Sequence, residues 1–258
     1  MKQDNAKWVG KVLWHFDELS STNDYARYIT RQSEVESGTV IRTDCQTAGR
    51  GQLGAVWESA PGKNLTLTII LHPNWLRAEA QVGLSQAVAL AVAASIQAFV
   101  PEMDVSIKWP NDLLVQRRKV GGILIENTIS GQFLAQSLIG IGVNVNQVHF
   151  SSALPNAASL SSLASRQIDL DAFQAHLFAS VEYHYEWLRL QGREGIHQDY
   201  LRNLFGMGVR KRFLSMPGEV PFWGCIKGVD PDGRLCIETD QGLQKFALKE
   251  IKQFFELD

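Results

Sequence analysis

Residues 78–99, AEAQVGLSQAVALAVAASIQAF, are rich in alanine and nearly apolar on every side. A surface helix shows one apolar stripe, whereas a helix that is apolar all round has to be covered all round. The stretch therefore predicts a long buried helix, ended by Pro101, in a chain that can supply the cover. With 258 residues, 45% of them hydrophobic, one large domain or one domain with a small appendage can enclose such a core. Upstream, residues 11–16 (KVLWHF), GTVIRTD and the alternating NLTLTIIL of 64–71 read as strands, and the cap-rich Ser20-Ser21-Thr22-Asn23 introduces a helix over DYARYITRQ. Downstream, SIKW, DLLVQ, VGGILIENTI and FLAQSLIGIGVNV follow in turn, the last three separated by the turn signals RR and SGQ. That is the cadence of adjacent antiparallel strands. The expected fold is α+β, a mixed sheet of some six or more strands flanked by helices.

Beyond Asn146 the character changes. HFSSALPNAASLSS reads as a loop-like bridge. Phe173, Leu177, Val181, Tyr185 and Leu188 then mark one apolar stripe of a helix, and EGIHQDYLRNLF a second helix. From Gly206 the short runs GMGVRKRFL, WGCIKGVDPDG, RLCIETD and QKFAL, punctuated by Asp232-Gly233 and Gln241-Gly242, suggest a small β-barrel. The expected division is 1–205 and 206–258, with no internal repeat or long linker.

The formal charge of -2 gives no electrostatic footprint for duplex DNA, so DNA is not an expected partner. MKQDNAKWVG lacks the apolar core of a signal peptide, and no run of about 18 residues is free of polar ones, so neither a membrane nor export is expected and the cytoplasm is. Cys45, Cys225 and Cys236 form no C-x-x-C pair and read as reduced thiols; the six histidines are scattered, and no metal held by protein ligands is expected.

Within TDCQTAGRGQLGAVW, residues 43–57, GRGQLG satisfies the dinucleotide pattern G-x-G-x-x-G. That fingerprint also needs a helix starting on the turn and an acidic residue about 20 positions on. Here Pro61-Gly62 stops any helix, and LHPNW carries no carboxylate. The loop joins two strands and suits another use: its glycines permit close backbone approach and an anion nest, Arg50 adds a planar donor fork, and Trp57 offers a face for a nucleobase. Three more segments place polar groups where strands and turns do not require them. Ser21-Thr22-Asn23 supplies hydroxyls at a helix start, which can cap the helix, meet a polar ligand head, or both. KWPNDLLVQRRKVGGILIE, residues 108–126, interrupts a strand at Pro110, presents Asn111 and Asp112, and sets Lys119 beside Gly121-Gly122, a glycine pair that suggests close approach of a ligand or backbone. IGIGVNVNQ puts Asn144 and Asn146 on one side of a strand, in a structural or a binding role.

In this order and spacing, STN, GRGQLGAVW, KWPNDL with RKVGGILIE, and GIGVNVN closely resemble the biotin protein ligases, strongly over residues 11–146. The C-terminal 53 residues are similar to that family's small SH3-like domain in strand rhythm and position only. The resemblance implies a two-step ligation: biotin and ATP with Mg2+ give biotinyl-5′-adenylate, and a lysine of a biotin carboxyl carrier domain then takes the biotin. It implies that the Gly49–Trp57 loop closes over the adenylate and excludes water. Carried over position by position, Ser21, Thr22 and Gln46 meet the ureido end of biotin, with Gly49, Gly121 and Gly122 in the biotin site. Arg50 and Lys119 meet the biotin carboxylate and α-phosphate, and these two with Asp112 are the implied catalytic residues. Gly51, Gly54, Trp57, Asn111 and Asn144 belong to the nucleotide side. Two departures stand out. Many relatives carry more basic residues in the loop, where this chain has Gln52, Leu53 and Ala55. Relatives that also repress transcription have an N-terminal helix-turn-helix domain, and only about ten residues precede the first strand here. A lipoate or octanoyl ligase and a non-enzymatic biotin sensor are the alternative readings. Either a monomer or a homodimer joined through a sheet edge fits.

Overall fold

The computed structural model describes residues 6–254; residues 1–5 and 255–258, the outer ends of the two expected domains, lie outside. Alternation organises the first sheet. Its interior strand β3 (Leu65–Leu71) is buried along its whole length. Leu65, Leu67, Ile69 and Leu71 join one apolar cluster, while Ile70 joins a second, smaller one on the opposite face. Period two therefore sends Thr66 and Thr68 to the face of Ile70, together with helix α1 (Thr22–Gln32), whose Ala26 and Ile29 pack there.

Around β3 stand β1 (Leu13–Leu19), β2 (Val40–Gln46), β4 (Val105–Lys108), β5 (Asp112–Val115), β6 (Arg118–Ser130) and β7 (Phe133–Val143). Their order is β1-β2-β3-β7-β6-β5-β4, seven strands, with β1 and β2 parallel and the other neighbours antiparallel. The sheet is mixed, as expected. The alanine-rich helix α2 (Gln81–Phe99), preceded by a 3-10 turn at Ala78–Ala80, lies on the larger cluster between the sheet and helices α4 (Leu170–Gln191) and α5 (Arg193–Arg202). The Ala78–Phe99 segment is long and apolar enough to cross a membrane by composition, yet 67% of that window is buried inside the protein. The bridge after β7, expected as loop, contains the short helix α3 (Leu160–Ala164), opened by a Ser159–Ser162 capping box.

A second sheet, order β11-β10-β9-β8-β12, is antiparallel throughout: β8 (Arg210–Ser215), β9 (Val220–Val229), β10 (Leu235–Thr239), β11 (Gly242–Phe246) and β12 (Ile251–Gln253). Its inner residues Phe213, Ile226, Leu235 and Ile237 belong to the same continuous apolar cluster as α2 and β3. Trp109 Nε1 donates across the junction to Gly233 O at 3.0 Å. The strand rhythm read from the sequence marks a change of sheet near residue 205, while the buried core runs on through it.

Candidate active site

Where α1 starts, Ser21 is the N-cap and accepts from Asp24 N at 3.4 Å. That cap leaves the next residues turned toward the sheet. Thr22 donates through both N (2.8 Å) and Oγ1 (3.2 Å) to Gln46 Oε1 at the end of β2. Thr68 Oγ1 stands 2.8 Å from Thr22 Oγ1 and 2.5 Å from Asn23 Oδ1. A chain of small polar groups thus runs along the α1 face of β3, with Ser21, Thr22 and Asn23 all buried.

The loop after Gln46 folds back as a small hairpin. Arg50 bridges Val56, Gly51 N donates to Ala55 O at 2.7 Å, Trp57 N donates to Gly49 O at 3.0 Å, and Gln52–Gly54 forms a 3-10 turn. This brings the Trp57 ring onto Gly142 of β7, where an added Cβ would lie 2.5 Å from the ring. A Cβ on Gly140 would lie 2.6 Å from Asn23 Oδ1, and Gly122 of β6, paired with Gly142, keeps the same floor open. Three glycines on two neighbouring strands clear the surface that the loop covers.

Lys119 reaches this floor through a break in register. β5 and β6 pair Leu113 with Gly121 but Leu114 with Lys119, so Val120 is an extra residue. Lys119 and Gly122, three apart, would point to opposite faces of a regular strand; the bulge puts them on one face, and a Cβ on Gly122 would stand 4.0 Å from both Lys119 Cε and Asp112 Oδ1. Lys119 Nζ lies 2.6 Å from Asp112 Oδ1, and Lys108 Nζ lies 3.8 Å from Asp112 Oδ2. Burial pulls the Lys108 ammonium below its ordinary pKa, Asp112 opposes that, and Lys119 adds to it. Two cations around one carboxylate leave this corner net positive, suited to an anion.

These elements enclose one cavity of about 250 Å³. Of the residues expected from the sequence, Ser21, Thr22, Gln46, Arg50, Gly51, Trp57, Asn111, Asp112, Lys119 and Gly122 line it together. Four others do not line it. Gly49 packs under the hairpin, where a Cβ would meet Trp57 O at 2.4 Å; Gly54 is exposed at the loop tip with φ +82. Gly121 points the other way, toward Gly142 O and Leu113. Asn144 lies just past the end of β7, buried, its Nδ2 donating to Ala158 O at 3.2 Å. Asn146 exchanges hydrogen bonds with the backbone of Ile168 and does not share a strand face with Asn144. Asn111 is also tied locally, its Nδ2 donating to Ile123 O at 2.7 Å.

Sequence reasoning missed Thr66, Gly140 and Gly142, all of which line the cavity, as does Leu248 from the C-terminal sheet region. The alternation of β3 and β7 carried a signal for the first three: small or hydroxylated residues at every second position. Nothing local marked Leu248. Several buried polar atoms have no protein partner, among them Thr66 Oγ1, Trp57 Nε1 and Gln52 Oε1 in the cavity wall and Asn144 Oδ1 nearby. Buried donors and acceptors are normally satisfied, so a cluster of orphans around one cavity points to a polar ligand.

Residues 16–144 match the biotin/lipoate A/B protein ligase family. Over 252 residues the chain is 33% identical to the bifunctional ligase/repressor BirA of Bacillus subtilis, covering 95% of this chain and 74% of that protein. Over 205 residues it is 29% identical to the biotin–[acetyl-CoA-carboxylase] ligase of Mycobacterium tuberculosis, covering 78% and 74%. Among solved structures, a biotin protein ligase from Aquifex aeolicus in complex with biotin and ATP is similar at a TM-score of 0.77 and 25% identity, over 94% of this chain and 98% of that one. The Leishmania major biotin protein ligase in complex with biotinyl-5-AMP shares the fold at a TM-score of 0.64 and 21% identity, over 92% and 99%.

Proposed function

The chain belongs to the biotin/lipoate A/B protein ligase family, and from that premise we propose how its cavity performs the family's chemistry. The protein is an ATP-dependent biotin protein ligase: it joins biotin to AMP, then transfers biotin to a lysine of a carboxylase's biotin carrier domain. In the first step a biotin carboxylate oxygen attacks the α-phosphorus of ATP and pyrophosphate leaves. In the second the carrier lysine attacks the acyl carbon, AMP leaves, and the lysine gives up a proton.

The observation that carries the residue assignment is that one cavity is lined by both the Thr22–Gln46 cluster and the Lys119–Asp112 pair. The hydroxyls and amide of Ser21, Thr22 and Gln46 suit the ureido group, which both donates and accepts. Arg50 and Lys119 suit the junction of carboxylate and α-phosphate. Charge moves there during adenylation, and fixed cations favour the transition state more than the ground state. Trp57, seated against Gly142 and lining the cavity together with Asn111, offers an aromatic surface to adenine, whereas Asn144, outside the lining, is given no contact with the nucleotide. Asp112, the one carboxylate among the lining residues, is placed to take the proton of the incoming lysine. Mg2+ enters with the ATP phosphates in this reading; among the described residues no group of three or more His, Cys, Asp or Glu could hold a metal. The boundary of the catalytic unit falls near residue 205, with Leu248 reaching the site from the smaller unit.

The test is pyrophosphate release with ATP and either biotin or lipoate, followed by a mass shift on the lysine of a biotin carrier domain. Biotin-dependent release with modification of the carrier establishes the assignment. Lipoate-dependent release changes the substrate, and tight biotin binding without turnover makes the protein a sensor.

A further inference from the structure

Arg50 is the only charged residue between Gly49 and Trp57, and it is already engaged. Its Nη2 lies 2.5 Å from Asp24 Oδ1 on α1 and 3.8 Å from Glu126 Oε1 on β6. The two carboxylates are fixed from behind. Arg27, one helical turn after Asp24, puts Nη1 2.5 Å from Asp24 Oδ1 and Nη2 2.5 Å from Glu126 Oε1. Asn23 Nδ2 donates to the other Glu126 oxygen, Oε2, at 2.8 Å. Burial lowers the Arg27 pKa and the two carboxylates more than offset this, leaving it raised. With Arg27 alone, the two acids would keep a net charge of about -1; Arg50 completes the neutralisation.

The cluster is continuous with the cavity. From Arg50 the contacts run through Glu126 to Asn23, then to Thr68, Thr22 and Gln46. A guanidinium has five donors in a fork, and both contacts use the same terminal nitrogen, so another edge of Arg50 can face an anionic ligand while Asp24 is held.

We propose that Asp24 and Glu126 are positioning residues: they hold Arg50, and with it the Gly49–Trp57 hairpin, over the cavity before any substrate arrives. Such pre-ordering removes part of the entropy that a ligand must otherwise supply in closing the loop. It also replaces, by contacts within the protein, some of the hold that a more basic loop would take from the adenylate itself. The consequence for the reaction rests on the cavity being the adenylate site; the consequence for the loop does not.

The experiment is amide hydrogen exchange on the ligand-free full chain, following Gly51, Ala55 and Trp57, whose N–H groups close the hairpin, in wild type, Asp24→Asn, Glu126→Gln and Asp24→Glu. The positioning role predicts faster exchange in the two neutral variants and recovery in Asp24→Glu, with the urea midpoints nearly unchanged. Glu126→Gln leaves the sequence of α1 intact, and the unchanged urea midpoint separates loosening of the loop from weakening of the helix that Glu126 also holds through Arg27 and Asn23. Escape of the biotinyl-adenylate should quicken about 2- to 5-fold in the neutral variants, the scale of one partly exposed ion pair, and more salt should narrow the gap. Unchanged loop exchange in both neutral variants overturns the proposal, whether or not the enzyme makes an adenylate. Faster exchange with no recovery in Asp24→Glu also overturns it. If instead no adenylate forms in wild type, the functional reading fails and the exchange result still decides the latch.

Discussion

Lys119 Nζ meets Asp112 Oδ1 at 2.6 Å only because the extra residue Val120 turns Lys119 onto the face of Gly122. The same bulge fixes the lysine at the wall of the cavity, with Asp112 14% and Lys119 34% exposed. A cation held there is preorganised toward the charge that develops at the α-phosphorus. Lys119→Ala should therefore slow adenylation by about 10²- to 10³-fold, the scale of one such donor. Single-turnover pyrophosphate release measures this; an unchanged rate removes Lys119 from the mechanism.

Asp112 carries a separate expectation. With adenylate supplied preformed, Asp112→Asn should slow transfer to the carrier lysine while Lys119 stays in place. Transfer at the wild-type rate would end the proton-accepting role assigned to it.

Gly142 and Trp57 are matched by shape. The Cβ of Gly142→Ala would fall 2.5 Å from the indole, so the ring has to move off the β7 floor. Loss of an aromatic face for a base costs about 1–3 kcal/mol. Both Gly142→Ala and Trp57→Ala should thus raise the ATP KM by roughly 5- to 150-fold. Unaltered ATP binding in Trp57→Ala would sink the stacking role.

Which of these relationships could be read from the chain depended on their range. The strands, the buried α2, the capped α1 and the loop's place between two strands followed from periodicity and turn residues, all local signals. The cavity's members followed from motif order, and ten of them do meet. The bulge at Val120 was hidden because RKVGGILIE scans as an unbroken strand; the reversal of facing appears only once β5 is paired beside it. For the same reason Gly121 and Gly122, indistinguishable as a pair, divide between packing and cavity. The Asp24–Arg50 contact spans 26 residues and depends on how the hairpin folds back, which glycine content alone does not specify.

The loop's composition sets a comparison across the family. Gln52 and Ala55 bring no charge to the loop, and Arg50 is shared with Asp24. The bound adenylate should escape faster from this enzyme than from relatives with a more basic loop, as measured by the decay of a preformed complex in excess unlabelled biotin. A slower escape here would show that the hairpin and Trp57 retain it without added charge.

Stability should depend on a histidine far from the site. His184 on α4 has its Nδ1 2.8 Å from Ser180 O, and burial lowers its pKa below the ordinary value of 6.5 more than its hydrogen bond and Asp199 raise it. The unfolded chain therefore takes up this proton first as the pH falls. In the window from about 6.5 down to the lower folded-state value the unfolded state holds more protons, so stability falls with falling pH; below that value the dependence on this group ends. One proton limits the slope to about 1.4 kcal/mol per pH unit. His72, His176 and His197, each lowered chiefly by burial, act in the same direction. Urea midpoints between about pH 7.5 and 5.5 (about one unit either side of the free histidine value) should decline, and less steeply in His184→Gln. A profile in that variant as steep as the wild type's would mean that His184 takes up its proton equally in both states, and that its burial has no hold on stability.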